Sequence, residues 1–113
     1  MELKYHKSLT HKIWAEFPLY KQILMIANEL NRARVWIEKK DFGESHLCYE
    51  RALELVYLTE GSLGECRLLG EFLRFKEMLC LLYSQESPDK NFNDALMKVL
   101  IMLDAQSFNL LNT

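Results

Sequence analysis

The sequence has few of the residues that build disulfide frameworks and zinc sites. It contains three cysteines, Cys48, Cys66 and Cys80, and no two of them form a C-x-x-C pair. An odd number of cysteines inside apolar segments is untypical of a disulfide framework, and their spacing differs from that of zinc ligands. We therefore predict reduced thiols in a hydrophobic core and no metal site.

Long hydrophobic runs are also missing. The longest, residues 78–83 and 99–103, are far shorter than the roughly 18 apolar residues that cross a bilayer. The N-terminus lacks the pattern of a positive stretch followed by an apolar one that marks a signal peptide. The sequence predicts no membrane association, and we expect a cytoplasmic protein.

A strong excess of one charge is absent as well. Fourteen Lys and Arg residues stand against sixteen Asp and Glu residues, so the formal net charge is −2. No overall positive field attracts nucleic acid, although Lys4, Lys7 and Lys12 make the N-terminus locally basic. We interpret this basic stretch as a solvated terminus, with a local binding patch as the alternative.

The residues that are present favour one globular domain, residues 1–113, with an all-α fold. Half of the 113 residues are hydrophobic and 27% are charged, as in ordinary packed domains. Apolar residues recur at three- and four-residue steps, which predicts a helical bundle. Pro18 is expected in the first turn of one helix, Gly43 and Gly61 are expected to end helices, and Trp14 is expected in a short leading helix or anchoring segment. The four main helices are predicted at about residues 18–40, 44–60, 64–85 and 88–106.

Two of these helices differ in how apolar they are. The third carries one seam with steps of four, three, four and three residues, which predicts bundle packing. The fourth has almost no polar side after Lys98, so it is expected to be central or buried on two sides. The seam of the third helix consists of Leu68, Phe72, Phe75, Leu79 and Leu82.

No pattern of residues in the sequence predicts a catalytic, metal-binding or phosphate-binding site. His46 opens a helix without a Cys, an Asp or a second His at ligand spacing, and the segment from Gly61 to Gly64 lacks the Lys-Ser or Lys-Thr of a phosphate loop. We predict no catalytic residue, no cofactor and no metal, and therefore a protein that is not an enzyme.

Partner contacts are predicted on two surfaces. Arg and Trp are enriched in protein interfaces, and the apolar fourth helix and tail exceed what a free terminus usually exposes. The first surface lies on the first long helix and contains Arg32, Arg34 and Trp36. The alternative is that its charged residues form solvated ion pairs, Glu29 with Arg32 and Arg34 with Glu38. The predicted contacts are Arg32, Arg34, Trp36, Leu100, Ile101 and Phe108.

Residues 29–57 resemble a single tetratricopeptide-type helical hairpin. The family places an aromatic residue after an Asp, then a small residue, an aromatic residue and an Ala-Leu pair. No second copy follows one period later near Leu79, so the resemblance implies a tightly crossed hairpin and not a peptide-binding solenoid. The matching positions are Asp41, Phe42, Ser45, Tyr49, Ala52 and Leu53.

The chain is also similar to HEPN domains and flagellar export chaperones, which share two long helices joined by a short acidic turn. Many HEPN domains cleave RNA with an Arg that is followed four to six residues later by a His. Here Arg32 and Arg34 precede His46 by 14 and 12 residues, and no His follows it, so that motif is absent. The resemblance implies a bundle without this activity.

The function that these observations predict is a non-enzymatic protein-interaction module. Its protein partner is unknown, and it is expected to self-associate as a homodimer through the fourth helix and the tail. The alternative is a HEPN-like or toxin–antitoxin-type bundle that contacts nucleic acid through Lys4, Lys7, Lys12, Arg32 and Arg34.

Overall fold

The computed structural model describes residues 3–64 and 67–111, with side chains up to residue 103. The described residues form helices and connecting turns and contain no strand, so the all-α prediction is confirmed. The five helices are α1 (His11–Ala15), α2 (Leu19–Glu38), α3 (Phe42–Leu63), α4 (Leu68–Ser84) and α5 (Lys90–Leu111).

The four long helices surround one hydrophobic core. Each of α2, α3 and α4 packs against the helix that follows it in the chain, and α5 closes the bundle by packing against α2. The short connections reverse the chain between consecutive helices, as in up-down bundles. The fifth helix, α1, packs on α3.

The residues that fill the core are largely those that the apolar periodicity predicts. All five residues of the predicted α4 seam are buried. Trp14 is fully buried as well, and its Nε1 donates a hydrogen bond to Oγ1 of Thr59 at 3.0 Å. The N-terminal segment is therefore anchored in the bundle by Trp14.

The turn between α2 and α3 differs from the prediction that Gly43 ends the first long helix. Helix α2 ends at Glu38, and Lys40 adopts a positive φ of 59°. The side chain of Asp41 then caps α3 by accepting a hydrogen bond from the backbone N of Glu44 at 3.2 Å. Gly43 lies inside the first turn of α3, because Lys40 and Asp41 reverse the chain before it.

Helix α3 also continues past Gly61, where the sequence predicted its end. A Cβ atom at Gly61 would lie 2.5 Å from Nδ1 of His11. Glycine therefore leaves room for the His11 ring of α1, and the helix ends at Gly64, whose φ is 57°. The sequence analysis predicted that Gly61 ends the helix, whereas Gly61 lies inside the helix and gives room to a neighbouring one.

The other helix boundaries shift by a few residues. Pro18 is the N-cap of α2 and not a first-turn residue, and α4 begins at Leu68 and not at residue 64. Asp89 lies at the start of α5, where its carboxylate accepts a hydrogen bond from the backbone N of Phe92 at 3.3 Å. Helix α5 extends to Leu111, five residues beyond the predicted end at residue 106.

The cysteines do not all lie in the core as predicted. Cys48 is buried, and burial raises the pKa of its thiol, but Cys80 is exposed on α4. Cys66 lies outside the described residues. Among the described residues, no helix has both the length and the hydropathy needed to cross a membrane.

Candidate protein-interaction surface

The outward side of α4 and the adjoining side of α5 form an exposed apolar surface. We call this surface the α4–α5 face. The side chains are well exposed for their size, with Leu81 at 57% and Met102 at 62% of full exposure. The α4–α5 face consists of Leu73, Met78, Leu81, Val99 and Met102. Leu73 and Leu81 lie beside Glu77 on the outward side of α4, and the other three lie toward α5.

A groove runs between the two helices within the α4–α5 face. Its volume is about 400 Å³, and it is lined mainly by apolar atoms of Met78, Val99 and Met102, with Phe75 at its base and Arg74 at its edge. The core seam of α4 already packs inside the bundle, so these apolar groups form a second side that is only partly covered, with Met78 43% and Val99 44% exposed.

The α4–α5 face also carries charges of both signs. Arg74 and Glu77 are exposed and lie three residues apart, so they are neighbours on the outward side of α4. Gly70 lies one turn before Arg74, and a Cβ atom added there would meet no atom within 4 Å. The surface thus combines large apolar groups, one open position and a pair of opposite charges.

The predicted pairing of Glu29 with Arg32 is confirmed, but it is part of the fold. Nη1 of Arg32 lies 2.6 Å from one oxygen of Glu29, and Nε of Arg51 lies 2.8 Å from the other. Glu29 is only 5% exposed. Its buried carboxylate joins α2 to α3, and Arg32 helps to neutralise it.

The second predicted ion pair, Arg34 with Glu38, is wrong. Arg34 donates a hydrogen bond to Oδ1 of Asn31 at 3.0 Å, whereas Glu38 pairs with Nζ of Lys90 at 3.0 Å. The hydrogen bond and charge of Lys90 lower the pKa of Glu38 below its usual value. This contact joins α2 to the start of α5, an arrangement that spacing along one helix cannot show.

Arg32, Arg34 and Trp36 do not form one contact surface. Residues two apart on a helix point to different sides, so Arg34 lies away from the other two. Trp36 is half-buried against the core, and Nζ of Lys39 lies 5.0 Å from its ring centroid.

The predicted contacts on α5 also separate. Leu100 is fully buried in the core and is not available to a partner, which corrects the prediction. Ile101 is 50% exposed, but it lies two residues from Val99 and therefore away from the groove. The side chain of Phe108 lies outside the described residues. The sequence analysis predicted that the last helix, α5, is apolar, but it did not identify Val99 and Met102 as the residues that α5 exposes next to α4.

A polar cluster that the sequence analysis missed joins three segments at one end of the bundle. The hydroxyl of Tyr5 donates a hydrogen bond to Glu50 at 2.9 Å, which raises the pKa of Tyr5. Burial and the nearby Glu50 raise the pKa of Tyr83, whose ring meets that of His46 edge-on at 5.8 Å. Nε2 of His46 lies 2.7 Å from the carbonyl oxygen of Gln85, so this nitrogen carries the proton. These contacts hold the N-terminal segment and the end of α4 against α3.

Glu54 is the second carboxylate that the N-terminal segment contacts. It is 4% exposed and accepts hydrogen bonds from the backbone N of Tyr5 at 2.9 Å and of His6 at 3.1 Å. Burial opposes ionisation of Glu54, but these hydrogen bonds and the His6 ring outweigh it and lower the pKa of the carboxyl. The buried charge therefore depends on the docked N-terminal segment.

These polar groups hold segments of the chain together. Across residues 3–64 and 67–103, no three His, Cys, Asp or Glu side chains come together in a way that could hold a metal ion. Five of the large apolar side chains that are exposed in the described part of the chain lie on the α4–α5 face.

Comparison with known proteins gives no relative: no family model, no curated protein and no solved structure matches the chain. The resemblances to tetratricopeptide hairpins and to HEPN-type bundles therefore stay predictions. Function has to be argued from the geometry of the chain itself.

Proposed function

We propose that this chain is a non-enzymatic protein-interaction module whose α4–α5 face binds a second copy of the chain. The observation that carries the proposal is the exposed apolar surface of Leu73, Met78, Leu81, Val99 and Met102. Exposed apolar patches larger than a few hundred Å² are uncommon on monomeric proteins, and the largest patch on a protein is often an interaction site.

The size of the α4–α5 face suits a modest dimer interface. Helix α4 has 17 residues, so it is roughly 25 Å long, and two adjacent helices are roughly 20 Å wide. A flat area of roughly 500 Å² presents a larger accessible surface, which approaches the roughly 800 Å² per partner of a standard interface. A second copy bound to this face would bury most of its exposed apolar groups.

The charges on the face favour a second copy as the partner. A symmetric dimer uses the same patch twice, so the patch must be complementary to itself. Arg74 and Glu77 provide one charge of each sign, whereas a nucleic-acid surface would be dominated by positive charge. The nucleic-acid alternative gains less support, because Arg32 is paired with Glu29.

The proposal is tested by placing a charge on the α4–α5 face and the same charge elsewhere. Leu81→Glu introduces a carboxylate on the face at a 57% exposed position, and Leu24→Glu makes the same change at a 48% exposed position of α2. Sedimentation velocity over a range of concentrations should show a monomer–dimer equilibrium for the wild type and for Leu24→Glu. Leu81→Glu should remain monomeric, because dimerisation would bury its charge.

Circular dichroism of both variants checks that the helices are retained. A wild-type chain that stays monomeric at high micromolar concentration would contradict self-association. Equal dimerisation of the two variants would show that the chain self-associates through another surface. The cytoplasmic location and the absence of enzymatic activity stay predictions.

A further inference from the structure

We infer that the two copies pair their α4 helices antiparallel across a two-fold axis, with Arg74 of each copy facing Glu77 of the partner subunit. This inference rests on the proposed self-association and specifies its geometry. It follows from the order of residues along the outward side of α4.

That side of α4 carries a line of exposed residues, which we call the outer seam and of which Leu81 is the one large apolar member. Its members follow steps of four, three, four and three residues, the same steps as the core seam on the opposite side of the helix. Such spacing places the members along one side of the helix. All members are exposed, and they are Gly70, Arg74, Glu77, Leu81 and Ser84.

The charges in the outer seam select the direction of pairing. A parallel pair in register would place Arg74 against Arg74 and Glu77 against Glu77, and like charges across an interface are unfavourable. In an antiparallel pair with the axis between these two positions, Arg74 faces Glu77 of the partner subunit, and the same contact recurs on the other side of the axis. The charges of the outer seam are therefore complementary to those of a second copy only when the two α4 helices run antiparallel.

The same register explains the position of Gly70. Glycine inside a helix lowers its stability relative to alanine, and no atom of the chain lies within 4 Å of a Cβ added there. Packing within one copy therefore gives no reason for a glycine. In the antiparallel register Gly70 lies opposite Leu81 of the partner subunit, so the missing side chain leaves room for that leucine.

The α5 side of the face extends the contact beyond the outer seam. Met78 lies on the side of α4 that adjoins the groove, and Val99 and Met102 line the same groove from α5. A two-fold axis brings the groove of each copy to the same side of the dimer. The apolar groups of α5 thereby flank the paired α4 helices.

Charge reversal tests the register. Arg74→Glu and Glu77→Arg each create two like-charge contacts across the axis, and the double variant restores opposite charges in reversed order. We expect each single variant to dimerise at least about tenfold more weakly than the wild type by sedimentation equilibrium, and the double variant to recover most of that loss. Lys12→Glu and Glu16→Arg, at exposed positions in and next to α1, are matched controls that should leave the dimer unchanged.

The outcomes separate this inference from the proposed function. If the wild type dimerises and the single reversals have no effect, or the double variant is as weak as the singles, the register is wrong while self-association stands. If the wild type is a monomer, both are wrong. Recovery in the double variant supports the antiparallel pairing only when the variants fold equally well, because Arg74 and Glu77 are also neighbours within one helix and the double change restores that pair as well. Thermal unfolding of the variants at a concentration where the chain is monomeric is therefore the control, and it should give the same stability for all of them.

Discussion

Asn93 is a polar residue at the centre of the bundle, where it joins three helices. It is fully buried on α5, donates a hydrogen bond to the carbonyl oxygen of Leu30 on α2 at 3.0 Å, and accepts one from the hydroxyl of Tyr49 on α3 at 2.7 Å. Burial raises the pKa of Tyr49, which keeps the phenol protonated as a donor. A buried amide of this kind is tolerated only when both its ends are bonded.

Removing the Tyr49 hydroxyl should therefore destabilise the fold. Tyr49→Phe leaves Oδ1 of Asn93 without this donor, and we expect the free energy of unfolding to fall by about 1–3 kcal/mol. Urea denaturation at one fixed protein concentration measures the change. Tyr20→Phe, at a position that is 54% exposed, should change it by less than about 0.5 kcal/mol. Equal effects of the two substitutions would contradict the role of the buried network.

Glu54 makes stability depend on pH in a predictable direction. Its pKa in the folded state is lowered, so the unfolded chain binds its proton more readily. The stabilisation is complete above the unfolded value of about 4.3 and is lost as pH falls through the folded value. Glu54→Gln should be less stable at pH 7 and should lose less stability than the wild type between about pH 5 and pH 3.

Chemical denaturation at several pH values measures this difference. Glu86→Gln makes the same exchange at an exposed position and should retain the pH dependence of the wild type. An identical pH dependence for Glu54→Gln and the wild type would show that the N-terminal segment does not stabilise the charge of Glu54.

Helix α1 has only five residues, so its place in the fold depends on packing and not on its own helical stability. Trp14 provides that packing. We expect Trp14→Ala to lower the free energy of unfolding by about 3–5 kcal/mol, because it creates a large cavity and leaves Thr59 without its partner. Ile13→Ala, at a neighbouring position that is 42% exposed, is the matched control and should have an effect of about 0.5 kcal/mol or less. Thermal unfolding followed by circular dichroism measures the stability of both variants. A similar loss of stability in Trp14→Ala and Ile13→Ala would contradict the anchoring role of Trp14.

The helices themselves could be predicted from periodicity, because each long helix has a continuous apolar side that the core requires. The α4 seam is the clearest case, since all its members are buried. The ends of the helices could not be predicted equally well. Gly61 has the composition of a helix end, but its reason is the close approach of His11, which belongs to another helix.

The interaction surface was harder to predict than the fold for the same physical reason. Leu100 and Met102 look alike in the sequence, yet Leu100 is buried in the core and Met102 is 62% exposed beside α4. Which apolar side of α5 is covered depends on where α2 and α4 pack. The sequence therefore predicted an apolar last helix, and the structure was needed to identify its exposed residues.

At the scale of the whole molecule, four long helices enclose one core and leave one groove between α4 and α5 with exposed apolar walls. A dimer formed through that face would give the bundle a second, intermolecular core. The central claim is therefore that a second copy covers the α4–α5 face in solution.

The most direct test is the oxidation rate of Met102, measured by mass spectrometry of peptides at increasing protein concentration under excess peroxide. Met97 is the internal reference, because it is half-buried and lies two residues from Val99, away from the groove. We predict that the oxidation rate of Met102 falls relative to that of Met97 as the chain dimerises. A ratio that stays constant up to high micromolar concentration would contradict the account.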